Sequence, residues 1–463
     1  MRYVSTRGAA PVLSFEEAML TGLARDGGLY LPQSWPRLSA DEIAGFAGKP
    51  YEEVAVAVMR PFIGDAFSEA EFRAIVARAY AGFGHAARAP LAQIAPGDWI
   101  LELHHGPTLA FKDFAMQLIG QMFEVALTRR GDRVMIVAAT SGDTGSAAIE
   151  AFRGLDAVDV VILYPHGRVS EVQRRQMTTP TEANVHALAV EGDFDACQAL
   201  VKGMFNDLPF RDALRLAAVN SINWARVLAQ AVYYFTAAAA LGAPGRAVSF
   251  SAPTGNFGDV FAGHVARAMG LPIERLVIAT NENDILHRTL TTGRHEKAGV
   301  TATTSPSMDI EVSSNFERLL FELYGRDGAA VTQLMDELKA GGFALRQGAL
   351  AALREGFASG RADQAQVAAE IARIRATTGQ VIDPHTAVGL IAARANRGDP
   401  ATPMITLGTA HAAKFPDAVE AACGVRPALP PRMADLYDRA ERVTVVPDDL
   451  AAVEAAVRAR ARA

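Results

Sequence analysis

Residues Arg133–Phe152 read RVMIVAATSGDTGSAAIEAF, and this stretch decides the fold class. A short apolar run, Arg133–Ala139, passes at once into Thr140-Ser141-Gly142-Asp143-Thr144-Gly145-Ser146 and then into the helical pattern Ala147–Phe152. Strand, Gly/Ser/Thr loop and helix in immediate succession are the repeating unit of a parallel α/β sheet. The loop offers backbone N–H groups and hydroxyls at a helix N-terminus, which suits a carboxylate or a phosphate. A tight strand–helix turn with Ser and Asp capping the helix accounts for the same residues equally well. Neither nucleotide motif is met: no Gly-Lys-Ser/Thr follows, as a P-loop requires, and GxGxxG is absent.

Outward from this unit the alternation continues. Further strand candidates are Trp99–Leu103, Val158–Leu163, Val185–Val190, Ala247–Ser251, Leu276–Ala279 and Met404–Leu407. Several lead into Gly/Thr/Ser/Asn loops and then helices, so helices on both faces of parallel sheets are expected, with ligands at the carboxyl ends of the strands. Residues 1–95 differ, showing helical patterns around Phe15–Leu23, Ala40–Phe46 and Glu69–Tyr80. The expected organisation is an N-terminal portion (1–95), a smaller α/β domain (96–215) and a large α/β domain (216–463), with a helical insertion at about 315–376. After Arg442 come one short apolar run, Val443–Val446, and a helix.

Four more segments carry chemistry. In His104–Phe114, HHGPTLAFKDF, a Gly-Pro-Thr turn precedes apolar residues at helical spacing, which places Lys112 in the first turns of a helix. There the positive end of the helix dipole and partial desolvation both lower an ammonium's pKa, making a plausible imine-forming amine and base. Taken alone, a solvated lysine beside Asp113 is the commoner case. Pro253–Asp259, PTGNFGD, repeats the strand–glycine loop–helix arrangement, and its two glycines let N–H groups converge on a phosphate. Two anion-competent loops and a candidate amine in one sheet system point together to a phosphorylated carbonyl cofactor and a carboxylate substrate. That is what pyridoxal phosphate acting on an amino acid requires. Thr409, in the strand-loop Met404–Phe415, could present a neutral hydroxyl to a ring nitrogen. Ser314 and Glu317 have capping-box spacing, and Arg318 beside that helix start makes a second phosphate site conceivable.

Composition narrows the function classes. The chain has 463 residues, half of them apolar and 21% charged, with a net charge of −6, which suits two or three globular domains and gives no reason to expect nucleic acid as partner. The longest apolar stretch, Ala229–Ala243, contains Gln230, two tyrosines and Thr236, and reads as a buried helix rather than a membrane span. Only Cys197 and Cys423 occur, without CxxC or Cys/His ligand spacing, so neither disulfides nor a metal is expected. No signal-peptide pattern is present at the N-terminus, and a cytoplasmic protein is expected.

Assembled in order, these segments resemble the threonine synthase family. The resemblance covers most of the chain: SFEEA (Ser14–Ala18), DGGLY (Asp26–Tyr30), HHGPTLAFKDFA, ATSGDTGSAA, NSINWAR (Asn220–Arg226), PTGNFGD, SPSMDI with SSNFERL, and LGTAHAAKFP. Any one of these is weak; the ordered set is highly specific, and the long helical stretch fits the family's long form. The resemblance implies the second fold type of pyridoxal-phosphate enzymes, shared with the tryptophan synthase β chain. It implies that Lys112 holds pyridoxal 5'-phosphate as a Schiff base and that Gly255, Asn256, Phe257 and Gly258 hold its phosphate. Thr409 would then face the ring nitrogen. Ser141, Gly142, Asp143 and Thr144 would receive the substrate carboxylate or the ring-hydroxyl side of the cofactor, although related enzymes often carry Asn at the place of Asp143. The implied substrate is O-phospho-L-homoserine, giving L-threonine and phosphate, in a monomer or dimer. Ser313, Ser314, Asn315 and Arg318 are proposed for the substrate phosphate. A deaminase or β-replacement synthase with the same cofactor, and a catalytically silent relative, are the competing readings.

Overall fold

The runs Val158–Pro165 and Val248–Pro253 form strands buried along their whole length. Such strands need cover on both sides, which parallel sheets with flanking helices provide. The computed structural model, which describes residues 1–462, contains two such sheets. The larger has the spatial order Phe357–Arg361, Ile273–Thr280, Val248–Pro253, Met404–Gly408, Asp98–Glu102, Leu91–Ala95. All neighbours run parallel except the last pair, which is antiparallel. The smaller, wholly parallel, has the order Thr444–Val446, Val185–Val190, Val158–Pro165, Val134–Ala139, Leu216–Ala217.

The helix Trp224–Ala240 is buried almost throughout and packs on the helices Tyr51–Ile63, Lys112–Arg130 and Gly258–Ala268. Among the described residues no helix is long and apolar enough to cross a membrane. The N-terminal helices Tyr51–Ile63 and Glu69–Tyr80 hold the start of the Lys112 helix. Tyr51 and Phe83 place their ring centroids 5.3 and 4.7 Å from that of Phe114, and Tyr80 Oη donates to Phe114 O at 3.1 Å. Phe114 is wholly buried, so Phe114→Ala would cost about 3–5 kcal/mol and loosen the turn that carries Lys112.

The sheets divide the chain differently from the contiguous partition at 95/96 and 215/216. Leu91–Ala95 and Asp98–Glu102, one on each side of the first boundary, lie together in the larger sheet. The C-terminal strand Thr444–Val446 returns to the smaller sheet, and its helix Leu450–Arg458 packs on the helix Phe194–Asn206. The segment at about 315–376 is not purely helical. Its helices Phe316–Leu323, Gly328–Lys339, Gln347–Gly356 and Gln364–Thr378 are interrupted by Gly342–Ala344 and by Phe357–Arg361, an edge strand of the larger sheet. FASGR is too short and too small-residued to announce itself as a strand; pairing with Ile273–Thr280 makes it one.

Candidate active site

The ends of three strands, Val134–Ala139, Val248–Pro253 and Met404–Gly408, open into one cavity between the two sheets, the position expected for ligands in α/β folds. Lys112, the first residue of its helix, lies on its wall. The segment before it is tied to the Thr409 loop: Ala110 bridges Ala410, and Phe111 N–H donates to Thr409 O at 2.8 Å. Lys112 Nζ is 3.5 Å from Asp143 Oδ2 and 3.2 Å from Ser307 Oγ. Burial lowers its pKa to about 8, aided by Lys414 and Arg226 and opposed by Asp143. At pH 7.5 about a quarter of such an amine is neutral, against about 0.1% of an ordinary lysine.

The loop Gly255–Asp259 is a set of unused donors. Among the described residues none of its backbone N–H groups has an acceptor, and the helix Gly258–Ala268 has no side-chain cap. Phe257, at φ 63°, adopts the left-handed turn that curls successive N–H groups to one side. Gly255 has no room for a side chain, because a Cβ there would lie 2.5 Å from Ser307 O. This donor set fits a phosphate. Thr409 is buried on the same wall and offers a neutral hydroxyl. The residues present therefore fit pyridoxal phosphate: an amine of depressed pKa, a phosphate cup and an uncharged partner for a ring nitrogen.

In the first loop the helix begins at Asp143, earlier than its apolar pattern indicates. Thr140 Oγ accepts the N–H groups of Gly142 and Gly145 at 2.9 and 2.8 Å, and Ser141 and Thr144 line the cavity. Gly142, at φ 136°, passes so close to Gln173 that a Cβ would lie 2.4 Å from its Cδ. Asp143 is not a helix cap. Its carboxylate is buried between Lys112 and Lys414 (2.7 Å) and accepts from Gln173 Nε2 at 2.9 Å. Burial opposes its ionisation, but the two ammoniums and the amide outweigh burial and hold the carboxyl well below its usual range.

Ser313, Asn315 and Arg318, expected to receive the substrate phosphate, do not line the cavity. Of the four residues, Ser314 alone lines the cavity. Ser313 Oγ donates to Gly255 O at 2.7 Å, and Asn315 Nδ2 donates to Ser221 O and Asn256 O, both at 3.0 Å. Arg318 is wholly buried, donating to Tyr30 O at 3.2 Å, Ile222 O at 2.6 Å and Asn315 Oδ1. These three residues brace the glycine loop from behind. The capping box does not form either: the helix starts after Asn315, and Glu317 instead accepts from Thr6 Oγ (2.6 Å) and pairs with Arg7 (3.1 Å).

Arg226, from NSINWAR, is the arginine that faces the cavity among the described residues. It is buried, it has no carboxylate partner among the described residues, and its Nε has no acceptor. Burial lowers its pKa to about 10. Lys202, Asn220 and Ser221 line the same region. Ser307, His385 and Lys414 were also missed. Ser307 Oγ touches both Lys112 and Asp143, and its N–H donates to His385 Nε2 at 3.3 Å. His385 Nδ1 lies 2.6 Å from Asp383. Nothing in the local sequence marks these side chains, since tertiary packing alone brings Ser307 and His385 to the cavity and Lys414 behind Asp143.

Family models match along the chain: "Threonine synthase N terminus" over residues 2–80, "Pyridoxal-phosphate dependent enzyme" over 99–407 and "Threonine synthase, C-terminal" over 386–457. The threonine synthase of Pseudomonas aeruginosa is 54% identical over 99% of this chain and 98% of its own. The pyridoxal-phosphate-bound crystal structure of threonine synthase from Brucella melitensis, at 58% identity, superposes with a TM-score of 0.98 over 100% of both chains. The yeast threonine synthase structure, at 39% identity, gives 0.94 over 99% of this chain and 98% of that one. With the cavity's amine, phosphate cup and uncharged ring partner, these matches place the chain in the threonine synthase family of pyridoxal-phosphate-dependent enzymes.

Proposed function

We propose that this protein converts O-phospho-L-homoserine and water into L-threonine and phosphate, the last step of threonine biosynthesis. One observation carries the reading beyond the cofactor class: a single cavity holds two separate anion-binding groups. These are the free N–H groups of Gly255–Asp259 and the unpaired guanidinium of Arg226 with Lys202. A cofactor phosphate and a substrate phosphate need two such sites, whereas a deaminase or β-replacement enzyme acting on an unphosphorylated amino acid needs one.

In this assignment Lys112 Nζ would hold pyridoxal phosphate covalently, the Gly255–Gly258 loop would take its phosphate and Thr409 would meet its ring nitrogen. When bound, the cofactor supplies an electron sink that makes protons near the substrate amine acidic. Lys112 Nζ, with its depressed pKa, takes the proton from the substrate's α carbon and stays in reach to return it. The Ser141–Thr144 loop orients the substrate carboxylate. Lys112 Nζ then takes a proton from the β carbon, and the electron pair of that C–H bond expels the γ-phosphate, which Arg226 and Lys202 receive as the γ C–O bond breaks. The proton lost from the β carbon is returned to the γ carbon, water's hydroxyl adds at the β carbon, and water's remaining proton leaves with the phosphate. A neutral Thr409 at the ring nitrogen would leave that nitrogen largely unprotonated and so would moderate the sink.

The test follows both products from O-phospho-L-homoserine with the cofactor-loaded protein. Equal amounts of phosphate and L-threonine are expected. Release of ammonia from serine or threonine faster than release of phosphate would contradict the assignment.

A further inference from the structure

Lys414 has no exposed surface, and none of the steps above requires it. Its ammonium is 2.7 Å from Asp143 Oδ1 and donates to Thr108 O at 2.8 Å. The other oxygen of Asp143 faces the reacting side, where Oδ2 lies 3.5 Å from Lys112 Nζ and 3.2 Å from Ser307 Oγ. Asp143 thus stands between two ammoniums, one on each oxygen. The remaining charged groups leave this pairing intact. Asp113 spends its oxygens on the Thr108 N–H (2.8 Å) and Oγ (2.6 Å), and Arg226 is a further cation that cannot satisfy Lys414.

A lone carboxylate this close to an amine in a dry site favours the protonated amine by about 1–3 pKa units. That would hinder a group that must be neutral to form its bond and then pass a proton back and forth. A second cation fixed on the far oxygen offsets much of that field while keeping the carboxylate in place.

We infer that Lys414 is a positioning residue whose buried ammonium pins and neutralises Asp143, so that the carboxylate orients Lys112 without trapping it in its charged form. The Asp143–Lys414 pair then acts toward Lys112 as a neutral hydrogen-bonding group. The inference rests on Lys112 being the reacting amine, as proposed above.

The experiment titrates the visible absorption band of the cofactor-loaded full chain with pH. Lys414→Met should raise the band's apparent pKa by about 1–3 units, because Asp143 then acts uncompensated. Asp143→Asn should lower it, because Lys414 is then the unpaired charge. The double variant should return close to the wild-type value, and Lys414→Arg, which keeps the charge, should stay near it. A general packing role for Lys414 would not give shifts of opposite sign in the two single variants. A Lys414→Met band with the wild-type pKa, or one shifted downward, overturns the inference. If Lys414→Met does not fold, the double variant decides: it should fold, since neither charge is left alone, and its failure to fold overturns the pairing. A wild-type chain with no visible band would overturn the Lys112 assignment instead, so the two failures are distinct.

Discussion

Replacing Arg226 with Met removes a charge from the cavity wall and leaves a side chain of similar length. In the wild type Arg226 is 3% exposed, and the one hydrogen bond of its guanidinium among the described residues is a long one, 3.4 Å to Val219 O. With a pKa of about 10 it is about 99% charged at pH 8. An unpaired buried cation destabilises the empty protein, and an arriving phosphate dianion relieves that strain. A hydrogen bond to a charged group is worth about 1.5–3 kcal/mol. At about 1.4 kcal/mol per factor of ten, its loss weakens phosphate binding about 10- to 140-fold. Steady-state kinetics of Arg226→Met should show KM for O-phospho-L-homoserine raised by that factor, and inhibition by inorganic phosphate weakened in parallel. The unfolding temperature of the cofactor-free protein should hold or rise. Arg318→Met should behave in the opposite way. Losing its bonds to Tyr30 O, Ile222 O and Asn315 destabilises the fold by about 2–5 kcal/mol, with KM unchanged in the folded fraction. A wild-type KM in Arg226→Met, or a raised KM in Arg318→Met alone, would refute the reasoning.

Other outcomes follow from the same geometry. Lys112 must be neutral to attack a carbonyl, so the rate at which the cofactor-free protein takes up pyridoxal phosphate should rise with pH and level off above about pH 8. A stopped-flow trace still climbing steeply between pH 9 and 10 would mean an ordinary lysine. Gly255→Ala would set a Cβ 2.5 Å from Ser307 O, forcing the phosphate cup open. An overpacking penalty of about 1–3 kcal/mol predicts cofactor affinity about 5- to 150-fold weaker by equilibrium dialysis.

Much of the fold is written locally. Short apolar runs, several of them ending in a small-residue loop, announce parallel strands with loops at their carboxyl ends, and the seven expected strands form within three residues of their expected bounds. Which sheet a strand joins is not local. Asp98–Glu102 and Thr444–Val446 each pair with strands far away in sequence, and no property of WILE or TVV chooses the partner. The site divides along the same line. Glycine loops and a lysine at a helix start have a spacing that can be read directly. Arg226 and Arg318 each follow an aromatic residue within a helix, yet packing turns one toward the cavity and the other toward Tyr30 and Ile222. Lys414 shows the same limit. In HAAKFP it looks like any charged residue after a strand, and the fold buries it beside Asp143, 271 positions away.

On the assignment proposed above, Lys112 holds the cofactor, and not Lys202 on the same cavity wall or Lys414 buried behind Asp143. Borohydride reduction of the loaded protein would fix the linkage, and mass spectrometry of its digest would locate it. The account predicts one phosphopyridoxyl adduct, on the peptide containing Lys112, and an adduct on Lys202 or Lys414 with Lys112 unmodified would contradict it.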